Sequence, residues 1–225
     1  MTDRVILVTG FEPFGGESHN PSQELAKTVD GRRGGALLVH GLVLPVHHRD
    51  ASAAMTRALD EHDPDAILHL GLAGGRARIA LERVAVNVLD YPIPDNAGYC
   101  AVDEPCVPGG PAAYFSTLPI RDMHRALIAD GIPVYVSDTA GTYLCNQTLY
   151  GTRDAIERLR HRAIAGFMHL PLLPAMVASS GLDQPSMDLP VMLRAVEISL
   201  GVIAAFLDTL KTASDPDAAR VDSRR

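Results

Sequence analysis

The feature that most constrains the fold of this chain is its alternation of short apolar runs with longer amphipathic stretches. Apolar runs of strand length occupy residues 4–9, 36–44, 66–70, 134–137 and 164–170. Amphipathic stretches of helical length occupy residues 48–62, 119–131, 145–160 and 189–210. Strands that alternate with helices predict an α/β architecture. We predict one domain over residues 1–211 and a flexible tail over residues 212–225, because the last stretch is polar and charged.

Charge and cysteine content exclude several classes of protein. The chain has 27 acidic and 20 basic residues, a net charge of −7, which argues against a nucleic-acid partner because no basic stripe neutralises phosphates. We identify no apolar run long enough to span a bilayer and no signal-peptide pattern, and therefore expect no membrane partner and a cytoplasmic location. The three cysteines are an odd number without zinc-type spacing, which predicts free thiols.

One of these cysteines, Cys145, has a setting that suits a nucleophile. It follows a strand and a glycine-containing turn, and a helix is predicted to begin at or near it. The N-terminus of a helix has unpaired N–H groups and a positive dipole end, which favour a thiolate and could bind an oxyanion. The alternative is a small buried apolar residue, as most free cysteines are. Cys100 and Cys106 lie in a Pro/Gly-rich segment, residues 90–110, and lack this setting.

A cysteine nucleophile needs a base, and usually a third group that orients the base. His169 ends an apolar strand just before a proline turn, where open α/β sheets place their sites. His69 has a similar setting and is the main competitor, with a buried, hydrogen-bonded histidine as its other interpretation. Glu82 is a carboxylate within an apolar, strand-like run over residues 79–88, and a buried carboxylate needs a partner. That partner is either an imidazole or a nearby arginine, Arg76 or Arg83.

Seven short motifs together resemble the pyroglutamyl peptidase I family, also called pyrrolidone-carboxylate peptidases. The likeness covers residues 5–210, and the motifs stand in the order of the family. They are TGFEPFGG at 9–16 followed by NPS at 20–22, AGGR at 73–76, ERVAVN at 82–87, IPDN at 93–96, GGPAAY at 109–114, TAGTYLCN at 139–146 and GFMHLP at 166–171.

The resemblance implies a catalytic set of Glu82, Cys145 and His169, and so favours His169 over His69. It implies a thiol peptidase that removes an N-terminal pyroglutamyl residue from peptides and proteins through a thioester acyl-enzyme. It further implies no cofactor, no metal and a homotetramer. The fold expected is a three-layer α/β/α sandwich with a twisted mixed sheet, similar to phosphorylase and hydrolase folds.

The substrate of this family is a neutral, flat lactam, which predicts an apolar pocket with a few hydrogen bonds. Asn20 could hydrogen-bond the substrate or brace the loop between Phe11 and Phe14. Two departures from the family pattern stand near this pocket: Leu72 where members often have glutamine, and Pro92 where many bacterial members have arginine. The predicted substrate-binding residues are Phe11, Phe14, Asn20, Leu72, Ile93, Tyr143 and Leu144.

Two other functions remain open at this point. A nucleoside phosphorylase-like transferase would have a related α/β layout and could bind phosphate at the glycine-rich turn, residues 71–75. A binding or assembly protein could keep the fold after losing activity, as the departures at Leu72 and Pro92 allow.

Overall fold

A seven-stranded mixed sheet lies between two layers of helices in the protein, whose computed structural model describes residues 3–214. The order of strands in the sheet is β2-β3-β1-β4-β9-β5-β8, and β6 and β7 form a separate antiparallel ribbon. The strands are β1 Arg4–Phe11, β2 Arg33–Gly34, β3 Leu37–Leu44, β4 Ala66–Leu72, β5 Ile79–Glu82, β6 Val84–Val86, β7 Ala113–Phe115, β8 Val134–Ser137 and β9 Ile164–Leu170. The helices are α1 Pro21–Val29, α2 His48–His62, α3 Ile120–Ala129, α4 Leu144–Leu159, α5 Pro174–Ser180 and α6 Leu189–Ser214.

The direction of the strands changes between β9 and β5, and again at the edge of the sheet, where β2 is antiparallel to β3. Strands β3, β1, β4 and β9 are parallel to one another. Strand β5 is antiparallel to β9 and parallel to β8. The predicted α/β class and mixed sheet are thereby confirmed.

Each face of the sheet has its own hydrophobic core. Helices α1, α3 and α6 cover one face, and α2 and α4 cover the other. Close packing of α1 on the sheet requires glycine on the strands beneath it. A Cβ at Gly10 would lie 1.9 Å from the carbonyl oxygen of Ser22, and one at Gly41 would lie 2.0 Å from that of Ala26. The chain therefore has the three layers that the resemblance implies.

Some elements differ from the sequence prediction. The strand predicted over residues 79–88 is broken at Arg83. The N–H of Arg83 donates to Ser137 O, and its carbonyl oxygen accepts from the N–H of Ser116. Beyond this point β6 leaves the main sheet and pairs with β7. The short elements β2, β7 and α5 were not predicted. Helix α6 continues to Ser214, three residues into the segment predicted as a tail, and residues 215–225 of that segment lie outside the described residues.

Helix α6 also corrects the expectation that no segment could span a membrane. Its residues Leu189–Thr212 are long and apolar enough to do so by length and composition. A core helix passes the same test, and one face of α6 lies in the hydrophobic core through Met192, Val196, Leu200 and Ile203.

The long Pro/Gly-rich segment is held against the body of the protein. The N–H of Tyr91 donates to Ala101 O at 2.9 Å, and a bridge joins Leu89 to Glu104. The N–H of Asn96 donates to Val46 O at 2.9 Å, just beyond the end of β3. These bonds bring Ile93 to the edge of the sheet where β1 and β3 end.

Candidate active site

A cavity of about 410 Å³ opens at the edge of the sheet where β1, β4 and β9 end. Every predicted site residue except Glu82 lines it: Phe11, Phe14, Asn20, Leu72, Ile93, Tyr143, Leu144, Cys145 and His169. Glu82 lies behind His169. Pro92, which the sequence analysis placed near the pocket, lines it too, and several lining residues were not predicted for the site: Val46, Ala73, Gly74, Arg76, Ala140, Gly141 and Thr142.

Cys145 is the second residue of α4, as the sequence predicted within one residue. The chain reaches it through Gly141, which has a φ of 81° that favours glycine, and through Tyr143 in extended conformation. Tyr143 makes no side-chain cap, and no acidic residue stands in the first turn. The first N–H groups of α4 therefore remain available to a negative charge near Cys145.

The ionisation state of Cys145 differs from the expectation of a stabilised thiolate. Burial, followed by the charge of Glu82, raises its pKa to about 12, although Arg76 and a backbone hydrogen bond act in the opposite direction. The surrounding protein thus disfavours a thiolate more than the helix terminus favours it, although Cys145 is only partly buried and lines the cavity. The side chain is a neutral thiol at neutral pH.

Gly71 on β4 makes room for the sulfur. A Cβ at this position would lie 2.9 Å from Cys145 Sγ and 2.6 Å from the Phe167 ring, so no larger residue fits without displacing them. Gly71 is also the partner of His169 across the β4–β9 pair. The bare backbone at Gly71 therefore lets the sulfur lie beside the strand that presents His169.

His169 and Glu82 form a buried pair. His169 Nδ1 lies 2.7 Å from Glu82 Oε1, and the carboxylate is fully buried. Burial alone would raise the pKa of Glu82, but the hydrogen bond and charge of His169 and the charge of Arg76 hold it below its ordinary value. With Nδ1 bound to a carboxylate, Nε2 is the ring nitrogen left for the cavity.

Arg76 joins the same carboxylate oxygen from the other side. Its Nη1 lies 3.1 Å from Glu82 Oε1, and its side chain is partly exposed in the cavity. The two partners that sequence reasoning weighed for Glu82, an imidazole and an arginine, are therefore both present. Arg83 instead pairs with Asp138 at the surface.

His69, the competing histidine, is fully buried and does not line the cavity. Its Nδ1 lies 2.8 Å from Thr9 Oγ1, and its Nε2 lies 3.1 Å from Thr152 Oγ1. Burial lowers its pKa to about 3, so the ring is neutral. Both ring nitrogens are occupied, which is the buried, hydrogen-bonded interpretation. Cys100 and Cys106 do not line the cavity either.

The front wall of the cavity is aromatic. Phe14 and Tyr143 have ring centroids 5.9 Å apart, and Phe11 is buried at the end of β1. Phe11 therefore belongs to the core as well as to the cavity, because it is a strand residue rather than a loop residue. Asn20 braces this wall: Oδ1 accepts from Ser22 N, and Nδ2 donates to Glu12 O at 3.1 Å.

The segment that carries Ile93 is fastened to the start of α4. Asn146 accepts from the N–H of Val86 and donates to the carbonyls of Val86 and Val88. The Tyr143 hydroxyl donates to Pro94 O at 3.2 Å. The wall of the cavity and the helix of Cys145 are thus positioned together.

Asp95 holds the far end of the same segment. Its Oδ2 accepts from the N–H of His48 and lies 3.0 Å from His48 Nδ1, while Oδ1 accepts from the N–H groups of Ala97 and Tyr99. Burial alone would raise its pKa, but these hydrogen bonds lower it to about 2. Asp95, His47 and His48 have donor atoms within 4.8 Å of one another, as a metal site would require. Both carboxylate oxygens are already occupied by hydrogen bonds.

Comparison with known proteins gives consistent matches. The family model described as pyroglutamyl peptidase matches residues 4–206. A pyrrolidone-carboxylate peptidase of Pyrococcus furiosus is 44% identical over 88% of this chain and 96% of its own length, and one of Vibrio vulnificus is 46% identical over 88% and 91%. The solved pyrrolidone carboxyl peptidase of Thermococcus litoralis has a TM-score of 0.88 at 39% identity, covering 92% of this chain and 96% of the other.

The bonds of Asp95 predict how stability depends on pH. Because the folded pKa is lowered from 3.8 to about 2, the carboxylate contributes stability above pH ~4 that is lost as pH falls toward 2. We expect Asp95→Asn to lower the free energy of unfolding by about 2 kcal/mol at pH 7 and by much less at pH 2. Urea unfolding across this range measures the difference.

The exposed Asp60 on α2 provides the control, since Asp60→Asn should change stability little at any pH. A loss for Asp95→Asn that stayed constant from pH 7 to pH 2 would contradict the assignment.

Proposed function

This chain belongs to the pyroglutamyl peptidase family, and we propose that Cys145, His169 and Glu82 carry out its reaction. The reaction is hydrolysis of the bond that follows an N-terminal pyroglutamyl residue, by a thiol peptidase. The observation that carries the residue assignment is the chain of contacts from Glu82 through His169 into the cavity shared with Cys145.

The first half of the reaction forms a thioester. The Cys145 thiol gives its proton to Nε2 of His169 as Sγ attacks the carbonyl carbon that joins pyroglutamate to the next residue. The carbonyl oxygen becomes an oxyanion, and the free N–H groups in the first turn of α4 stabilise it. His169 then protonates the departing amine, the C–N bond breaks, and the peptide leaves without its first residue.

The second half returns the enzyme to its starting state. His169 takes a proton from water, and the hydroxide attacks the thioester carbonyl. The C–S bond breaks, free pyroglutamate is released, and the Cys145 sulfur regains a proton from His169. Glu82 keeps Nδ1 of His169 protonated throughout, which holds the ring in one tautomer and stabilises its charged form.

A neutral thiol fits this sequence of steps. Because the pKa of Cys145 is raised to about 12 by burial, the proton has to be removed as the sulfur attacks. A base held within the same cavity by a buried carboxylate meets that requirement. Arg76 acts as a positioning residue: it keeps Glu82 ionised and places a positive charge near the sulfur.

The cavity suits a neutral lactam. Its walls are apolar and aromatic, and they include Phe14, Ile93 and Tyr143. Asn20 braces the wall through Oδ1 and one N–H of Nδ2, and because it lines the cavity its second N–H is left for a substrate oxygen. Leu72 and Pro92 both line the cavity and add apolar surface at the two positions where this chain departs from the family pattern.

We propose a homotetramer in the cytoplasm as the working form. The resemblance of the chain to its family supports the tetramer, and so do large apolar side chains, Val102 and Phe115, that are exposed in a single chain. The three free cysteines agree with a reducing compartment. Light scattering coupled to size exclusion should give about four times the mass of one chain. A purely monomeric peak would contradict the tetramer.

Hydrolysis of a pyroglutamyl aminocoumarin amide tests the catalytic assignment. We expect the wild type to release the fluorophore and Cys145→Ala to lose more than about 1,000-fold in kcat. His169→Ala should also be inactive, whereas His69→Gln, which can still bond both threonines, should keep most turnover while losing stability. A prolyl aminocoumarin amide provides the substrate control, because proline lacks the ring carbonyl.

Two outcomes would overturn the assignment. Turnover retained by purified Cys145→Ala would exclude this nucleophile, and loss in His69→Gln with normal activity in His169→Ala would exchange the two histidines. A wild type that is folded but inactive, with three equally slow thiols toward iodoacetamide, would favour the non-enzymatic alternative.

The role of Arg76 has its own signature. We expect Arg76→Gln to lower kcat about tenfold with little change in KM, and to move the pH dependence of Cys145 alkylation by about one unit toward higher pH. Arg76→Lys should restore part of the lost kcat and part of the shift in the pH dependence of alkylation. Arg83→Gln is the matched control, because its partner Asp138 lies at the surface. Identical alkylation profiles for wild type and Arg76→Gln would contradict the role.

A further inference from the structure

A second cavity of about 280 Å³ continues from the catalytic cavity. The two share four lining residues, which form the passage between them: Phe14, Leu72, Gly74 and Ile93. Leu172 borders the passage at Gly74, where a Cβ would lie in ordinary contact with it at 3.7 Å. A molecule bound in the catalytic cavity can therefore extend into the second one.

The second cavity lies beyond the ends of β4 and β9, next to the segment that follows His169 along the chain. Its far wall comes from the segment that follows β9, through Leu172 just after the strand, Met176 on α5 and Leu182 beyond α5. The residues that line only the catalytic cavity include Cys145 and His169 themselves, so the second cavity begins where the catalytic pair ends. Since the base protonates the leaving amine, the leaving half of the substrate departs on the side of His169.

The lining of the second cavity is chemically suited to an apolar side chain. Leu172 and Met176 are buried, and Leu182 is 59% exposed at the rim, so a bound side chain would cover apolar surface now in contact with water. The polar groups, Glu17, Ser180 and Gln184, include no cation. An acidic side chain would therefore find no partner and would face Glu17.

From this geometry we propose that the second cavity binds the side chain of the residue that follows pyroglutamate and favours a large apolar one. The inference rests on the proposed function, because it requires the scissile bond to lie between Cys145 and His169. It makes Leu172, Met176 and Leu182 specificity-determining residues for the leaving peptide.

Cleavage of pyroglutamyl tripeptide amides, pGlu-X-Ala-NH2 with X as Gly, Leu, Lys or Asp, tests the proposal. Release of the new primary amine gives kcat/KM for each peptide. We expect the wild type to prefer X = Leu over X = Gly by about tenfold, as one filled apolar pocket allows. The peptide with X = Asp should be the slowest of the four.

A charge at the rim should redirect the preference. Because Leu182 is exposed, Leu182→Glu should fold normally, and we expect it to reduce the Leu-to-Gly ratio severalfold and to raise the Lys-to-Leu ratio. Leu159→Glu is the matched control: Leu159 is 55% exposed at the end of α4, away from both cavities, and its variant should keep the wild-type ratios.

The outcomes separate the two proposals. Equal kcat/KM for Gly and Leu in the wild type, or ratios that Leu182→Glu leaves unchanged, would overturn the subsite while leaving the peptidase intact. Failure to cleave any of the four peptides would overturn the proposed function, and the subsite with it.

Discussion

The active site depends on one fully buried carboxylate. A charge without water is costly unless it is paired, and Glu82 is paired on a single oxygen with both His169 and Arg76. These two contacts hold the carboxylate ionised, fix the imidazole in the tautomer that leaves Nε2 for the cavity, and bring a guanidinium to the cavity wall. Removing either His169 or Arg76 would leave the buried charge of Glu82 with only one of its two partners, so the three side chains act as a unit.

The mixed direction of the sheet makes this arrangement possible. Strands β1, β4 and β9 are parallel and end at one edge, which explains why Phe11, Leu72 and His169 line one cavity. Strand β5 runs the other way, with Ala80 opposite His169 and Glu82 opposite Phe167. The carboxylate therefore reaches the imidazole from behind, within the sheet, where solvent does not compete for it.

Cys145 and the cavity wall around Ile93 are positioned by one part of the structure, and His169 is positioned by a different part. Asn146 and Tyr143 tie the start of α4 to the segment that carries Ile93. His169 instead stands on β9, and the chain continues from it into the wall of the second cavity. A substrate that filled both cavities would contact both units at once, which aligns the reacting groups by proximity.

The sequence by itself determined the α/β class, the helix that begins beside Cys145, the strand that ends near His169, and the family, because periodicity, capping and motif order are local properties of the chain. The resemblance favoured His169 over His69, but the physical reason came from the tertiary structure, since their local settings are alike and only the distant partners Thr9, Thr152 and Glu82 separate them. The tertiary structure likewise chose Arg76 over Arg83. It also showed Cys145 to be a neutral thiol, because the local helix terminus favours the thiolate whereas burial by residues remote in the sequence opposes it more strongly.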